Sequence, residues 1–310
     1  MARISIQQAL LQVALDGITD NHSVTVYKRD CKAFAAFCRN ELNIKTPDRL
    51  RENPLEALQQ YEKALEAQHY SPATIHRYLA APAKGLAVGL QQIEKPKRRS
   101  SAIVRGRVDD ANTQGQRELE APRNQRLVQF QRAVGIRRAE LADLRGRDLM
   151  TDESGQLCVC VEKGKGGKRQ LQRILPGDVD VVRSTFLGIE KNQLVFSPDE
   201  MNNKINLHAI RADHARDAYK YYENLITNGG TQQLRIELVR RWQTAHPNGN
   251  GAKFLDIITN RKPYVLRGDN RKKALAAGLP IKYDRLALMA VSTFHLSHWR
   301  LDVTATNYMV

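Results

Sequence analysis

The 310-residue sequence has no apolar run near the roughly 20 residues that a membrane-spanning helix requires. Met1-Ala2-Arg3-Ile4-Ser5 leads into no signal-peptide core, so membrane and secreted classes are not expected. Cysteine is scarce. Cys31 and Cys38 stand seven apart and Cys158 and Cys160 two apart, neither with the C-x-x-C spacing of a zinc knuckle or redox motif. All four are expected to be small core residues in a reducing compartment. The G-x-x-x-x-G-K-[ST] loop of nucleotide-binding proteins is absent, as is any carboxylate or Cys/His cluster with metal-ligand spacing. Neither internal repeats nor low-complexity tracts occur.

Acidic residues are also in short supply: 33 Asp and Glu face 49 Lys and Arg, a formal net charge of +16. A balance of that kind favours a polyanionic partner, most often nucleic acid. Hydrophobic residues make up 42%, enough for packed cores and too many for a disordered basic tail. The last 110 residues carry 17 basic against 8 acidic side chains, and Lys95-Pro96-Lys97-Arg98-Arg99 forms a second local concentration.

The length fits two domains. Residues 1–94 read as a bundle of four short amphipathic helices. Tyr27, Cys31, Phe34, Phe37, Cys38 and Leu42 fall at three- and four-residue steps on one stripe. Asn53-Pro54-Leu55-Glu56 has the pattern of a capped helix start, and Ser71-Pro72 opens a further helix that Pro82 bends or breaks. Periodicity then fades, and residues 95–122 read as a basic linker. Residues 123–310 are mixed. Helical patterns over 126–134 and 138–145 precede a strand at 156–162 and a partner strand at 169–175, joined by Lys163-Gly164-Lys165-Gly166-Gly167-Lys168, a turn-rich hairpin connector. The remainder is mostly helical. The expected fold is therefore mostly α with a small β-sheet or hairpin.

Four elements carry chemistry. The hairpin connector is either a solvated basic turn or a mobile finger that carries a lysine to a phosphate. Gly135-Ile136-Arg137-Arg138-Ala139-Glu140-Leu141 and Leu207-His208-Ala209-Ile210-Arg211 are each weak signals alone, although the three-residue step puts His208 and Arg211 on one helix side. The tail runs Leu296-Ser297-His298-Trp299-Arg300 and ends shortly after Tyr308.

Their order, G-x-R-x-x-E-L, a G-K-G hairpin, H-x-x-R, then L-S-H followed by Tyr, resembles the tyrosine recombinase (phage integrase) family over the whole chain. The tail's H-W-R-x-D-V-T resembles a mobile-element subfamily. The resemblance implies a helical core-binding domain and an α+β catalytic domain that close as a C-shaped clamp on duplex DNA. It implies a site-specific recombinase or integrase that cleaves and rejoins strands through a 3′-phosphotyrosine without metal, ATP or other cofactor. Arg137 and Arg211 would bind the phosphate, Lys165 would protonate the leaving 5′ oxygen, and His208 and His298 would flank it. Tyr308 would be the nucleophile, and Glu140 would support the site. DNA-binding side chains are expected at Lys95, Lys97, Arg98, Arg99, Lys163 and Lys168. The implied partners are a double-stranded recombination site, a dimer on each site and a tetramer in the synapse, with an accessory factor left open. The implied location is the bacterial cytoplasm, at the nucleoid.

Three features depart from the family pattern. His298 and Tyr308 are ten apart, one more than is usual, which puts Trp299 at the usual step; L-S-H favours His298, with Trp299 as packing. The 86 residues between Arg211 and His298 are more than the family norm, so an enlarged helical insertion is expected at about 215–285, its aromatics either core or part of an added contact surface. Only two residues follow Tyr308. A type IB topoisomerase with a similar residue set and a non-catalytic sequence-specific DNA-binding protein are the alternative readings.

Overall fold

The computed structural model describes residues 4–99, 114–164 and 167–310. It is mostly α-helical with a small antiparallel sheet, and it separates into two compact units, 1–103 and 104–310.

The described residues of the first unit hold five α-helices rather than four: α1 (Ile6–Ala14), α2 (Asn21–Asn40), α3 (Pro47–Glu52), α4 (Pro54–Ala67) and α5 (Pro72–Gly85). Its core joins Leu10, Cys31, Phe34, Cys38, Leu58, Tyr61, Ile75 and Leu79. Burial pushes the Cys31 and Cys38 thiols up to about 12, which keeps them protonated and unreactive. The start of α4 differs from the sequence expectation. Asn53 closes α3 as well as opening α4, and at φ −138°, ψ 65° its side chain caps nothing. Ser71 does cap α5, accepting from the Thr74 amide at 3.3 Å. Pro82 sits inside α5, which ends three residues later.

The second unit begins with α6 (Gln114–Glu120), inside the stretch read as linker. Leu119 is buried in this unit's core, and Glu118 accepts from the Lys204 amide at 2.7 Å. Next come α7 (Gln125–Val134), α8 (Arg138–Ala142) and a three-stranded antiparallel sheet, β1 (Leu149–Thr151), β2 (Leu157–Val161) and β3 (Gln170–Arg173). Val159 stands opposite Leu149 on one side and Gln172 on the other. The hairpin matches the sequence pattern within one or two residues at each end; the short strand β1 had no signal. After α9 (Val179–Phe186) and α10 (Pro198–Met201) comes the 21-residue α11 (Leu207–Thr227).

The long stretch beyond α11 contains α12 (Thr231–Ala245), α13 (Ala252–Thr259), β4 (Tyr264–Val265), α14 (Gly268–Ala276) and β5 (Lys282–Tyr283). It does not stand apart: Tyr219, Tyr222, Leu238, Phe254 and Tyr283 share one apolar core with Leu288, Phe294 and Tyr308. α15 (Arg285–Ala290) runs directly into one π-helical turn, Val291–His295, closed by the Leu296 amide donating to the Val291 carbonyl at 3.0 Å. A last helix, α16 (Leu301–Asn307), leads to Tyr308.

Candidate active site

Helix α7 ends because Gly135 adopts a left-handed conformation at φ 63°. That sharp exit sets Arg137 at the N-cap of α8, where the Glu140 carboxylate accepts from its backbone amide at 2.8 Å and from its guanidinium at 2.6 Å. Glu140 is almost wholly buried, whereas the Arg137 side chain keeps 29% of its surface exposed. One terminal nitrogen is thereby anchored and the rest of the fork stays available. Beside it, an open cleft of about 390 Å³ is lined by residues 136–139 and 205–208, with Arg137 and His208 on its two sides.

Arg211, one turn after His208 on α11, is fully buried. One terminal nitrogen donates to the Gly135 carbonyl and the other to the Leu296 carbonyl, the latter at 3.0 Å. Nε has no partner, and among the described residues no carboxylate forms an ion pair with this guanidinium. Burial, with the like charge of Arg137, lowers its affinity for the proton, while Tyr308 acts on it in the opposite sense. Two of its five N–H groups go to carbonyls and Tyr308 also hydrogen-bonds the guanidinium, which leaves the remaining donors for an anion.

His298 lies in a strained loop. Ser297 and Trp299 on either side of it both have positive φ, 51° and 57°. For non-glycine residues this conformation costs roughly 1–2 kcal/mol each, and it concentrates at functional sites. Gln172 of β3 donates to the Ser297 hydroxyl at 3.1 Å, and Trp299 packs edge-on against His246 with ring centres 5.0 Å apart. His298 Nδ1 accepts from the Arg300 amide at 3.2 Å and lies 3.1 Å from the Ser292 hydroxyl. Burial above all, helped by the charges of Arg211 and Arg137, holds its pKa down at about 4. A neutral imidazole that accepts at Nδ1 carries its proton on Nε2. That Nε2 is buried and unpartnered, so the loop presents one N–H donor awaiting an acceptor.

Tyr308 lies between the two histidines, its ring centre 6.1 Å from that of His208 and 6.0 Å from that of His298. Its carbonyl accepts from Arg216 at 3.1 Å, and the neighbouring Met309 carbonyl accepts from the Tyr283 hydroxyl at 3.4 Å. The tail is therefore held at two backbone points while the phenol faces the histidines and Arg211.

The structure thus brings Arg137, Glu140, His208, Arg211, His298 and Tyr308 together. Lys165 lies outside the described residues; Lys163 and Lys168, at the neck of its hairpin, are exposed. Lys97, Arg98 and Arg99 are exposed in the first unit, whereas Lys95 is turned inward, its ammonium donating to the Leu90 and Ile93 carbonyls. That use of Lys95 satisfies local backbone rather than an outside anion. Among the described residues no group of three or more His, Cys, Asp or Glu could hold a metal ion.

Sequence reasoning missed His214, Tyr222, Ser292 and His295, all buried close behind Arg211 or His298. His214 does follow Arg211 by three residues on the same helix, a step that places both on one side. No comparable pattern marks Ser292 or His295.

No family model matches the chain, and no curated protein does. Among solved structures it is similar to XerA recombinase, at a TM-score of 0.27 and 16% identity over 88% of this chain and 97% of that one. It is also similar to XerH site-specific recombinase bound to palindromic difH substrate in a post-cleavage complex, at 0.37 and 14% over 88% and 94%. Likenesses this shallow carry no weight in assigning a function, which rests on the chain's own side chains.

Proposed function

We propose that this protein is a site-specific DNA recombinase whose second unit breaks and rejoins strands through a phosphotyrosine at Tyr308. One observation carries the reading. A buried guanidinium without a counter-ion, a second guanidinium at the cleft and a buried imidazole N–H without a partner all surround one tyrosine. Buried charge is normally paired or neutralised. An arrangement that leaves cationic and N–H donors open around a nucleophile is complementary to an anion that arrives with the substrate, and a phosphodiester is the anion that two arginine forks fit.

In this reading Arg137 and Arg211 bind the non-bridging oxygens and stabilise the charge that develops as phosphorus becomes five-coordinate. The Tyr308 oxygen attacks phosphorus in line with the departing 5′ oxygen. Its proton passes toward His208, the P–O5′ bond breaks, and Lys165 supplies a proton to the leaving oxygen. His298 stays neutral and donates from Nε2 to a phosphate oxygen. The 3′-phosphotyrosine keeps the bond energy, and a 5′ hydroxyl of a second strand reverses the step. Removing one arginine contact should cost about 3–4 kcal/mol of barrier, or about 10²–10³ in rate. Assembly as a dimer on a site and a tetramer in the synapse belongs to the same reading.

The test is covalent trapping on a nicked suicide duplex built from the sequence flanking the gene, in EDTA and without nucleotide. An SDS-resistant adduct is expected with the parent and none with Tyr308→Phe. An adduct that persists in the variant moves the nucleophile elsewhere. Site-independent plasmid relaxation without strand exchange would assign a topoisomerase instead. Tight binding with no adduct would leave a DNA-binding protein without strand-transfer activity.

A further inference from the structure

Behind Arg211 lies a chain of three buried polar side chains that the chemistry above does not use. His214 Nδ1 is 2.8 Å from the Arg132 carbonyl on α7, His214 Nε2 is 2.9 Å from His295 Nδ1, and the Tyr222 hydroxyl is 3.0 Å from His295 Nε2. The three are 1%, 0% and 4% exposed. The direction of every bond follows from the first. A carbonyl only accepts, so His214 Nδ1 carries the proton and its Nε2 is an acceptor. His295 must then donate from Nδ1, and its Nε2 accepts from the tyrosine O–H. One set of neutral tautomers satisfies the whole chain, and burial keeps both rings neutral by depressing their pKa, to about 4 for His214 and well below normal for His295.

The chain abuts both residues whose carbonyls hold Arg211. Leu296, whose carbonyl accepts from one arm of the guanidinium, is covalently next to His295. Gly135, whose carbonyl accepts from the other arm, lies against the His214 ring so closely that a Cβ there would be 2.5 Å from Cδ2. α7, α11 and the π turn are thereby tied together around one guanidinium.

We infer that His214, His295 and Tyr222 are positioning residues that fix Arg211, through the Gly135 and Leu296 carbonyls, in its anion-binding orientation. The orientation itself is a property of the free protein; its use in strand transfer rests on the function proposed above. Removing the Tyr222 hydroxyl leaves His295 Nε2 without its donor and frees the ring to take the other tautomer. Two acceptors, His214 Nε2 and His295 Nδ1, then face each other, and the π turn loses its histidine tie to α11. The cost falls on the step in which phosphate charge develops, because overall DNA affinity comes from many other phosphate contacts.

The experiment uses the full chain labelled with ¹⁵N at histidine and arginine. In the parent, His214 and His295 are expected as neutral Nδ1–H tautomers, and Arg211 is expected to show slowly exchanging, inequivalent terminal nitrogens. In Tyr222→Phe and in His214→Gln the Arg211 signals should collapse toward averaged, fast-exchanging ones. Adduct formation in a single turnover on the nicked duplex should fall on the order of 10²-fold, while duplex affinity changes by less than about 3-fold. The opposite tautomers in the parent, or Arg211 signals unchanged in a folded variant, overturn the inference. The opposite tautomers in the parent overturn it even if a variant fails to fold. If the parent forms no adduct, the proposed function falls while the NMR result still decides the positioning of Arg211.

Discussion

Histidine is the residue that most distinguishes this site, and it makes stability depend on pH with a definite sign. His214 and His298 both have pKa values near 4 in the folded chain against about 6.5 for an exposed histidine, and His295 is depressed as well. The unfolded chain binds more protons between these values, so stability is fully present above about 6.5 and is lost as pH falls toward 4. Each such shift corresponds to about 3 kcal/mol as an upper bound. The urea midpoint should therefore drop between about pH 7.5 and 5.5, above the range in which carboxylates titrate. His298→Asn should flatten that dependence, and equal pH slopes in parent and variant would show that His298 is not buried neutral. At this scale the sequence was informative about residues with a motif and silent about the others. Arg137, His208, Arg211 and Tyr308 stand in recognisable order. Nothing in one sequence separates His295, which completes a buried hydrogen-bond chain, from any histidine in an apolar run.

Among the elements, the hairpin was legible because a short apolar run, Leu157 to Val161, stands between polar residues and glycines crowd the connector that follows. The π turn was not. Residues 286–296 are buried throughout, and a segment without an exposed face has no period from which an extra residue in the turn can be read. Strands β4 and β5 pair over only two residues each, too short to leave a pattern. What locks the sheet to α12 is equally invisible in sequence. Asp152 accepts from Arg173 at 2.6 Å and from Arg241 at 2.7 Å, and the two arginines continue to Glu237 and Glu153. Burial alone would raise the Asp152 pKa, but the charge and hydrogen bond of Arg173, with the backbone amides of Gln156 and Ser154, hold it below normal. Arg173 also lies over the Phe294 ring at 3.6 Å, which joins this network to the π turn. Asp152→Asn removes the shared negative charge and leaves two guanidiniums buried, so we expect a loss of about 3–5 kcal/mol. Asp48→Asn, which breaks an ion pair exposed on both sides, should stay within about 1 kcal/mol. Denaturant titration of both variants provides the comparison, and equal small shifts would show that the Asp152 network does not hold the sheet to α12.

For the whole molecule, a charge of +16 makes ionic strength the natural probe of the proposed DNA partner. Each phosphate neutralised releases counter-ions, so log affinity for a duplex should fall linearly with log salt by about 0.9 per contact. The charge is unevenly placed. Between residues 261 and 282 Asp269 is the only acid, while Arg261, Lys262, Arg267, Arg271 and Lys272 are all exposed. This excursion is not remote from the candidate nucleophile, because Tyr283 at its end bonds the Met309 carbonyl beside Tyr308. On the proposed function, the cations of α14 should meet phosphates flanking the reacting one and add to the salt slope without entering the chemistry. Replacing Arg267, Arg271 and Lys272 together by alanine should reduce the slope by about 2–3. The adduct yield at saturating duplex should stay close to that of the parent. Electrophoretic titration from about 50 to 200 mM salt measures the first quantity, and the trapping assay measures the second. A slope equal to the parent's would assign these charges to solvent and leave the excursion's buried aromatics as its whole contribution. A lower adduct yield at saturation would instead mean that α14 helps to hold the tail that carries Tyr308.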